Sequence, residues 1–265
     1  MHTVKQSAIA LAFTLATAAT QAQGLSLNTR EGFQLGAELS SYGYQEVVND
    51  APFVDVKGNK LGLTANYTGT FDDNAFITLD LRYASGHVQY EGSGTATGAD
   101  HLTDLRLTGG VDWARQGYTL SPYIGLGHRA LHNDIAGYTT TGASGYRRDS
   151  TYLYLPLGLA HRFAASDGRI VTTLEYDYLI QGTQVSHLGD AGGPGDISNL
   201  QRNGYGLRIG VAYETRHWST GAFYQQWNIA RSEDATAVGN GRAVIGDEPQ
   251  NTTREFGIAV KYLFY

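Results

Sequence analysis

Residues 77–84 read Ile77-Thr78-Leu79-Asp80-Leu81-Arg82-Tyr83-Ala84. Every odd position is apolar, and the even positions carry Thr, Asp and Arg. Successive side chains of a β-strand point to opposite faces, so this stretch has one apolar face and one charged face. A soluble sheet would turn the leucines into a core. A membrane barrel would turn them to lipid and enclose the charges. The rest of the chain decides between the two.

Period-two patterning recurs on both sides. It appears at Phe33-Leu35-Ala37-Leu39, Leu61-Leu63-Ala65-Tyr67, Leu105-Leu107-Gly109-Val111-Trp113 and Leu153-Leu155-Leu157-Leu159. It returns at Ile170-Thr172-Leu174-Tyr176-Tyr178, Tyr205-Leu207-Ile209-Val211-Tyr213 and Phe256-Ile258-Val260-Tyr262-Phe264. Segments 118–131 and 218–229 are strand-like but less regular, and no amphipathic helix stands out. The count predicts ten strands, with a range of eight to twelve. Each is long enough for a crossing of about 9–11 residues.

Short connections fall at 72–75, 114–117, 164–168 and 214–217, flanked by aromatics such as Phe71, Trp113, Phe163 and Trp218. Long polar connections are predicted at 47–56, 87–101, 132–149, 182–202 and 231–252. Short turns at one end, long loops at the other and aromatic flanks resemble the small bacterial outer-membrane β-barrels. The resemblance covers nearly all of residues 23–265. It implies an all-β, closed, antiparallel, up-and-down transmembrane barrel, because lipid offers a sheet edge no hydrogen bonds. A soluble barrel is the competing reading. The polar faces, rich in Gly and Thr rather than Lys and Glu, and the length of the strands argue against it.

Composition agrees. The 265 residues include 34 Gly, 18 Tyr and 5 Pro, which suits long strands. There is no Cys, which excludes disulfides and thiolate metal sites. The net charge of −6 argues against nucleic acid as a partner. Residues 1–22 read as a secretory leader, with Lys5, an apolar stretch from Ala8 to Ala19, and small residues before a cut after Ala22. Residues 23–265 then form the barrel domain, exported to the outer membrane. The expected partners are outer-membrane lipid and lipopolysaccharide, the barrel-assembly machinery during insertion, and an extracellular ligand at the loops. The barrel is expected to be a monomer without cofactors.

If the apolar face meets lipid, the other face lines the lumen. It carries Asp80, Arg82, Asp104, Arg106, Arg129, Arg162, Glu175, Asp177 and Arg208, with Glu38, Lys60, Glu255 and Lys261 beside them. A ten-strand barrel is narrow, and a buried charge left alone is costly. Pairing across the lumen is therefore expected, with an open, solute-selective pore as the alternative.

A ten-strand barrel with long outer loops is similar to the omptin proteases, and Pro122-Tyr123-Ile124-Gly125-Leu126 looks like an omptin strand. That resemblance implies an acidic pair from the second outer loop and an Asp–His pair from the fourth. Here the second loop offers Asp100, His101 and Asp104, and the fourth offers His187, Asp190 and Asp196. Neither the adjacent acids nor the Asp-x-His spacing is present, so no catalytic residue is assigned. His217-Trp218-Ser219 is the nearest fragment to a lipid-hydrolysing dyad, but it falls at a short turn. His128, His132 and Asp134 share one face of a strand, yet positions four apart lie about 13 Å from each other. No metal site is expected. Arg147 and Arg148 are the expected lipopolysaccharide contacts, because Arg binds phosphate bidentately. The function read from the sequence is a surface-exposed barrel presenting loops for binding, adhesion or envelope maintenance. The alternatives are a narrow pore and an omptin-like hydrolase.

Overall fold

The computed structural model describes residues 25–71 and 74–264. The expected leader and its cut after Ala22 lie outside these residues. The chain forms β1 (Gly32–Val48), β2 (Ala51–Thr70), β3 (Ala75–Gly92), β4 (Gly94–Val111), a short β5 (Trp113–Arg115), β6 (Tyr118–Tyr138), β7 (Ser144–Ala165) and β8 (Gly168–His187). It continues through β9 (Asp196–Gln201), β10 (Gly204–Glu214), β11 (Trp218–Ile229), β12 (Ala235–Gly239), β13 (Arg242–Gly246) and β14 (Gln250–Phe264).

Each long strand pairs antiparallel with the next. β1 also pairs with β14, and β8 with β10, so the sheet closes on itself. β9 and β10 pair with β8 in one unbroken register and act as a single wall strand interrupted at 202–203. The result is a closed, ten-stranded, up-and-down barrel. The two weakly patterned segments are β6 and β11, full members of the wall. We call the end that carries both termini basal and the far end apical.

The wall holds two zones. In the basal zone the outward residues are apolar: Leu61 and Leu63 are 67% and 66% exposed, while inward Lys60 is 1% exposed. This is the reverse of a soluble barrel. Further along the same strands the sense flips. On β3 the inward residues become Val88 and Tyr90, both buried, while the outward ones become His87, Gln89 and Glu91. On β2 the inward residues become Val54 and Val56, and the outward ones Asp55 and Lys57.

This reversal corrects the expected loops. Segments 47–56, 87–101 and 132–149 are mainly strand, because alternation persists with the faces exchanged. The first is closed by a two-residue turn, Asn49-Asp50, with φ of 52° and 62°. Positive φ at both positions is the backbone of the turn that follows strand twist. Longer excursions remain on one side only. Segment 188–195 holds a 3-10 turn, Leu188–Ala191. Segment 230–249 holds the β12–β13 hairpin, which Asn199 on β9 ties down through Nδ2 bonds to the carbonyls of Glu233 (3.1 Å) and Gly246 (3.0 Å).

Candidate functional site

The lumen is filled at three levels. At the base, residues 25–31 cross the mouth before entering β1. Arg169 donates to the carbonyls of Ser26 (2.5 Å) and Asn28 (2.6 Å). The Thr29 amide and hydroxyl both donate to Asp112, at 2.6 and 2.8 Å. Arg30 meets Glu214 at 3.3 Å and donates to the Thr215 carbonyl at 2.9 Å. This strap ties β1 to the ends of β4, β8 and β10. Beside it Arg162 donates to Ser121 (2.5 Å) and lies 3.5 Å from Asp112.

Above the strap is a polar chamber of about 310 Å³, bounded by Asn66, Lys261, Gln225 and two charged hubs. That volume has room for on the order of ten waters. Arg82 is the first hub. It bonds Glu38 through Nε (2.7 Å) and Glu255 through both terminal nitrogens (2.6 and 3.1 Å). Arg208 and Arg106 form the second. Arg208 reaches Asp177 (2.6 Å), Asp104 (2.8 Å) and Glu175 (3.1 Å). Arg106 reaches Glu175 (2.7 Å) and Asp80 (3.3 Å). Tyr154 donates to Asp104 at 2.6 Å and Tyr123 to Glu175 at 2.8 Å. Two guanidiniums thus answer four carboxylates, and the two tyrosine hydroxyls satisfy further lone pairs. Arg129 is set apart: it lies 4.0 Å from Asp104 and over the Trp227 ring.

Higher still, the apical lumen holds two apolar clusters among buried polar side chains such as Lys60, Asp100 and Gln184. Tyr42, Val54, Val56, Val88, Tyr90 and Ile135 form one cluster. Tyr152, Tyr154, Leu179, Trp227 and Ile229 form another, and Leu131 touches both. Tyr152 stacks on Trp227 with centroids 5.8 Å apart. Arg148 caps this core, paired with Glu46 from the opposite wall and 3.9 Å from Glu248. Burial pushes the Glu248 carboxyl up to about 7 against the pull of Arg148, and Glu46 adds to the rise.

Outside the apical wall, just beyond the apolar zone, lies a row of titratable side chains. Tyr83 Oη is 3.1 Å from His101 Nδ1. His101 is the direct cross-strand partner of His132, and His132 of Asp149. His132 Nδ1 is 2.6 Å from Asp149, whose other oxygen is 2.8 Å from His187 Nε2. His187 Nδ1 is 3.0 Å from Asp196. The hydrogen bond to Asp149 raises His187 above the usual histidine range, and burial offsets part of that rise. Burial opposes ionisation of Asp149, but the bonds from His187 and His132 hold it below the usual carboxylate range.

The structure brings together most of the lumen residues read from the sequence, but not all. Asp80, Arg82, Asp104, Arg106, Glu175, Asp177 and Arg208 share the two hubs, whereas Arg162 belongs to the base. Of the two arginines expected at lipopolysaccharide, Arg147 faces outward, bound to Asp190 at 2.8 and 3.0 Å. Arg148 faces inward, because adjacent strand residues take opposite sides. The same alternation splits the second-loop candidates: Asp100 pairs inside with Lys60 and Asp104 with Arg208, while His101 is outside. In the turn fragment, Ser219 is buried and Trp218 is exposed in the apolar zone. The strap and the apical core escaped the sequence reading. The signal for the core was present: Val54 and Val56 alternate with Asp55 and Lys57 in the reverse sense to Leu61 and Leu63.

No protein-family model matches this sequence, and no curated protein matches it. Among solved structures the fold is that of the outer-membrane β-barrels. The chain is similar to the outer membrane protease OmpT from Escherichia coli, with a TM-score of 0.56 at 11% identity, over 91% of this chain and 99% of that one. It also matches the translocator domain of the autotransporter NalP from Neisseria meningitidis, with a TM-score of 0.44 at 13% identity, over 89% and 90% of the two chains. OprG from Pseudomonas aeruginosa matches with a TM-score of 0.37 at 12% identity, over 92% and 99%. These identities speak to fold alone.

Proposed function

We propose that this protein is a non-conducting barrel of the bacterial outer membrane that acts through its apical end. The observation that carries this reading is the triple closure of the lumen by the strap, the guanidinium hubs and the apical core. The outward leucines of the basal zone need an apolar environment, and a bilayer supplies one. The basal end, with its strap and short turns, faces the periplasm. The apical zone stands clear of lipid, where apolar-in and polar-out is the stable arrangement. The partner of the apical end is an extracellular ligand or surface, met by the strand tips, segment 188–195 and the β12–β13 hairpin. Lipid surrounds the basal zone, lipopolysaccharide headgroups meet the wall at its upper edge, and the barrel-assembly machinery inserts it.

The test is single-channel recording of the refolded protein in a planar bilayer, with folding verified by heat-modifiable gel migration. No discrete current steps are expected. Reproducible steps from folded protein would overturn the closed reading in favour of a narrow pore.

A further inference from the structure

We propose that His101 and His132 together bind one divalent transition-metal ion, with zinc as the type, on the outward face of the apical wall. The two residues are direct partners on β4 and β6, where opposed β-carbons stand about 5 Å apart. Their rings are near parallel, with centroids 5.9 Å apart at 26°. Two zinc–nitrogen bonds require the Nε2 atoms to stand about 3.4 Å apart, a spacing the two rings reach by turning toward the shared ion.

The hydrogen bonds at Nδ1 suit ligation through Nε2 by both rings in their neutral form. An ionised carboxylate only accepts, so the His132 Nδ1 that faces Asp149 at 2.6 Å carries the hydrogen. Its lone pair is then on Nε2. His101 is held at Nδ1 by Tyr83 Oη at 3.1 Å, and donation from Nδ1 to that oxygen frees its Nε2 in the same way. Metal-binding histidines characteristically have the second nitrogen fixed by such a partner. Asp149 is itself fixed by His187, which leans on Asp196. Behind the two imidazoles, then, stands a layer that orients them.

Among the described residues no three His, Asp or Glu side chains converge as a ready-made cage. The pair is instead a two-ligand site, with its remaining positions open to solvent. Imidazole suits zinc, nickel and copper(II), whereas calcium and magnesium prefer oxygen ligands. Calcium and magnesium therefore should not compete.

The test is calorimetric titration of the full-length, tag-free barrel, refolded in detergent, with zinc chloride. One saturable ion per barrel is expected, unaffected by millimolar magnesium. His101→Ala and His132→Ala should each weaken binding at least tenfold. Asp149→Asn should weaken it about tenfold, through loss of the orienting carboxylate. His128→Ala and His87→Ala should leave it unchanged. Zinc should also raise the melting temperature of the parent protein and not that of the His101→Ala/His132→Ala double variant. Absence of saturable binding, or binding undiminished in the double variant, would overturn the proposal.

Discussion

Arg208 shows what a single side chain does in this barrel. Its guanidinium, on β10, serves Asp104 from β4 and Glu175 and Asp177 from β8. Replacing it with Met would leave three buried carboxylates with Arg106 at Glu175 and Arg129 4.0 Å from Asp104 as their remaining cations. Breaking a buried network in this way costs about 3–5 kcal/mol. A denaturant midpoint within experimental error of the parent's would refute that expectation. Glycines make room for the network's tyrosines: a β-carbon added at Gly127 would clash with the Tyr154 ring, and one at Gly158 with the Tyr123 ring. At this scale the sequence was informative about residue type and face. Asp80 and Arg82 sit two apart between leucines, so both had to point inward. It was silent about pairing, because Arg82 finds Glu255 across 173 positions of chain, and only closure of the sheet sets that distance. His101 and His132 met in the same way. Within one strand His132 looked alone, and the register of β4 against β6 supplied its neighbour.

At the scale of the strand, the feature that matters is the change of sense partway along. On β2 and β3 backbone pairing runs through it without a break, in register from Asp55–Glu91 to Thr70–Phe76. The basal halves were legible because leucines alternating with charges are a strong signal. The apical halves read as loops because small and polar residues blur the pattern where the faces exchange, at Gly58-Asn59-Lys60 and at Ser85-Gly86. The apical half also holds the group whose titration reports on it. Burial favours neutral Glu248, whose carboxyl in the folded chain takes up its proton at about 7, against about 4.3 for a free glutamate. Between these values the folded state binds more protons than the unfolded state. Stability is therefore complete below about pH 4 and falls as pH rises through 7. A shift of this size corresponds to on the order of 3 kcal/mol. Denaturant midpoints from pH 5 to 9 should fall for the parent, and Glu248→Gln should flatten that fall. Equal slopes for the two proteins would assign the pH dependence elsewhere.

For the whole molecule, the three closures act in series, so removing one should not open the rest. A chain lacking residues 25–31 loses the contacts of Arg169, Asp112 and Glu214 with the strap, yet keeps the hubs and the apical core. It should remain silent in a planar bilayer, and current steps from this variant would show that the strap alone closes the parent. Ten strands and closure could be read from the number of alternating segments, but the strap could not. Residues 25–31 have no periodicity, and their role comes from distant partners: Asp112, 83 positions from Thr29, and Thr215, 185 positions from Arg30.

The change of sense along the strands has a further meaning. Between β2 and β3 nothing in the backbone marks where the apolar zone ends; the boundary there is written in outward side chains alone. The depth at which the barrel floats is thus an adjustable waterline. Exchanging a ring of residues such as Asn59, Ser85 and Thr103 for leucines would draw the molecule deeper into lipid, with its hydrogen-bond ladder left as it is.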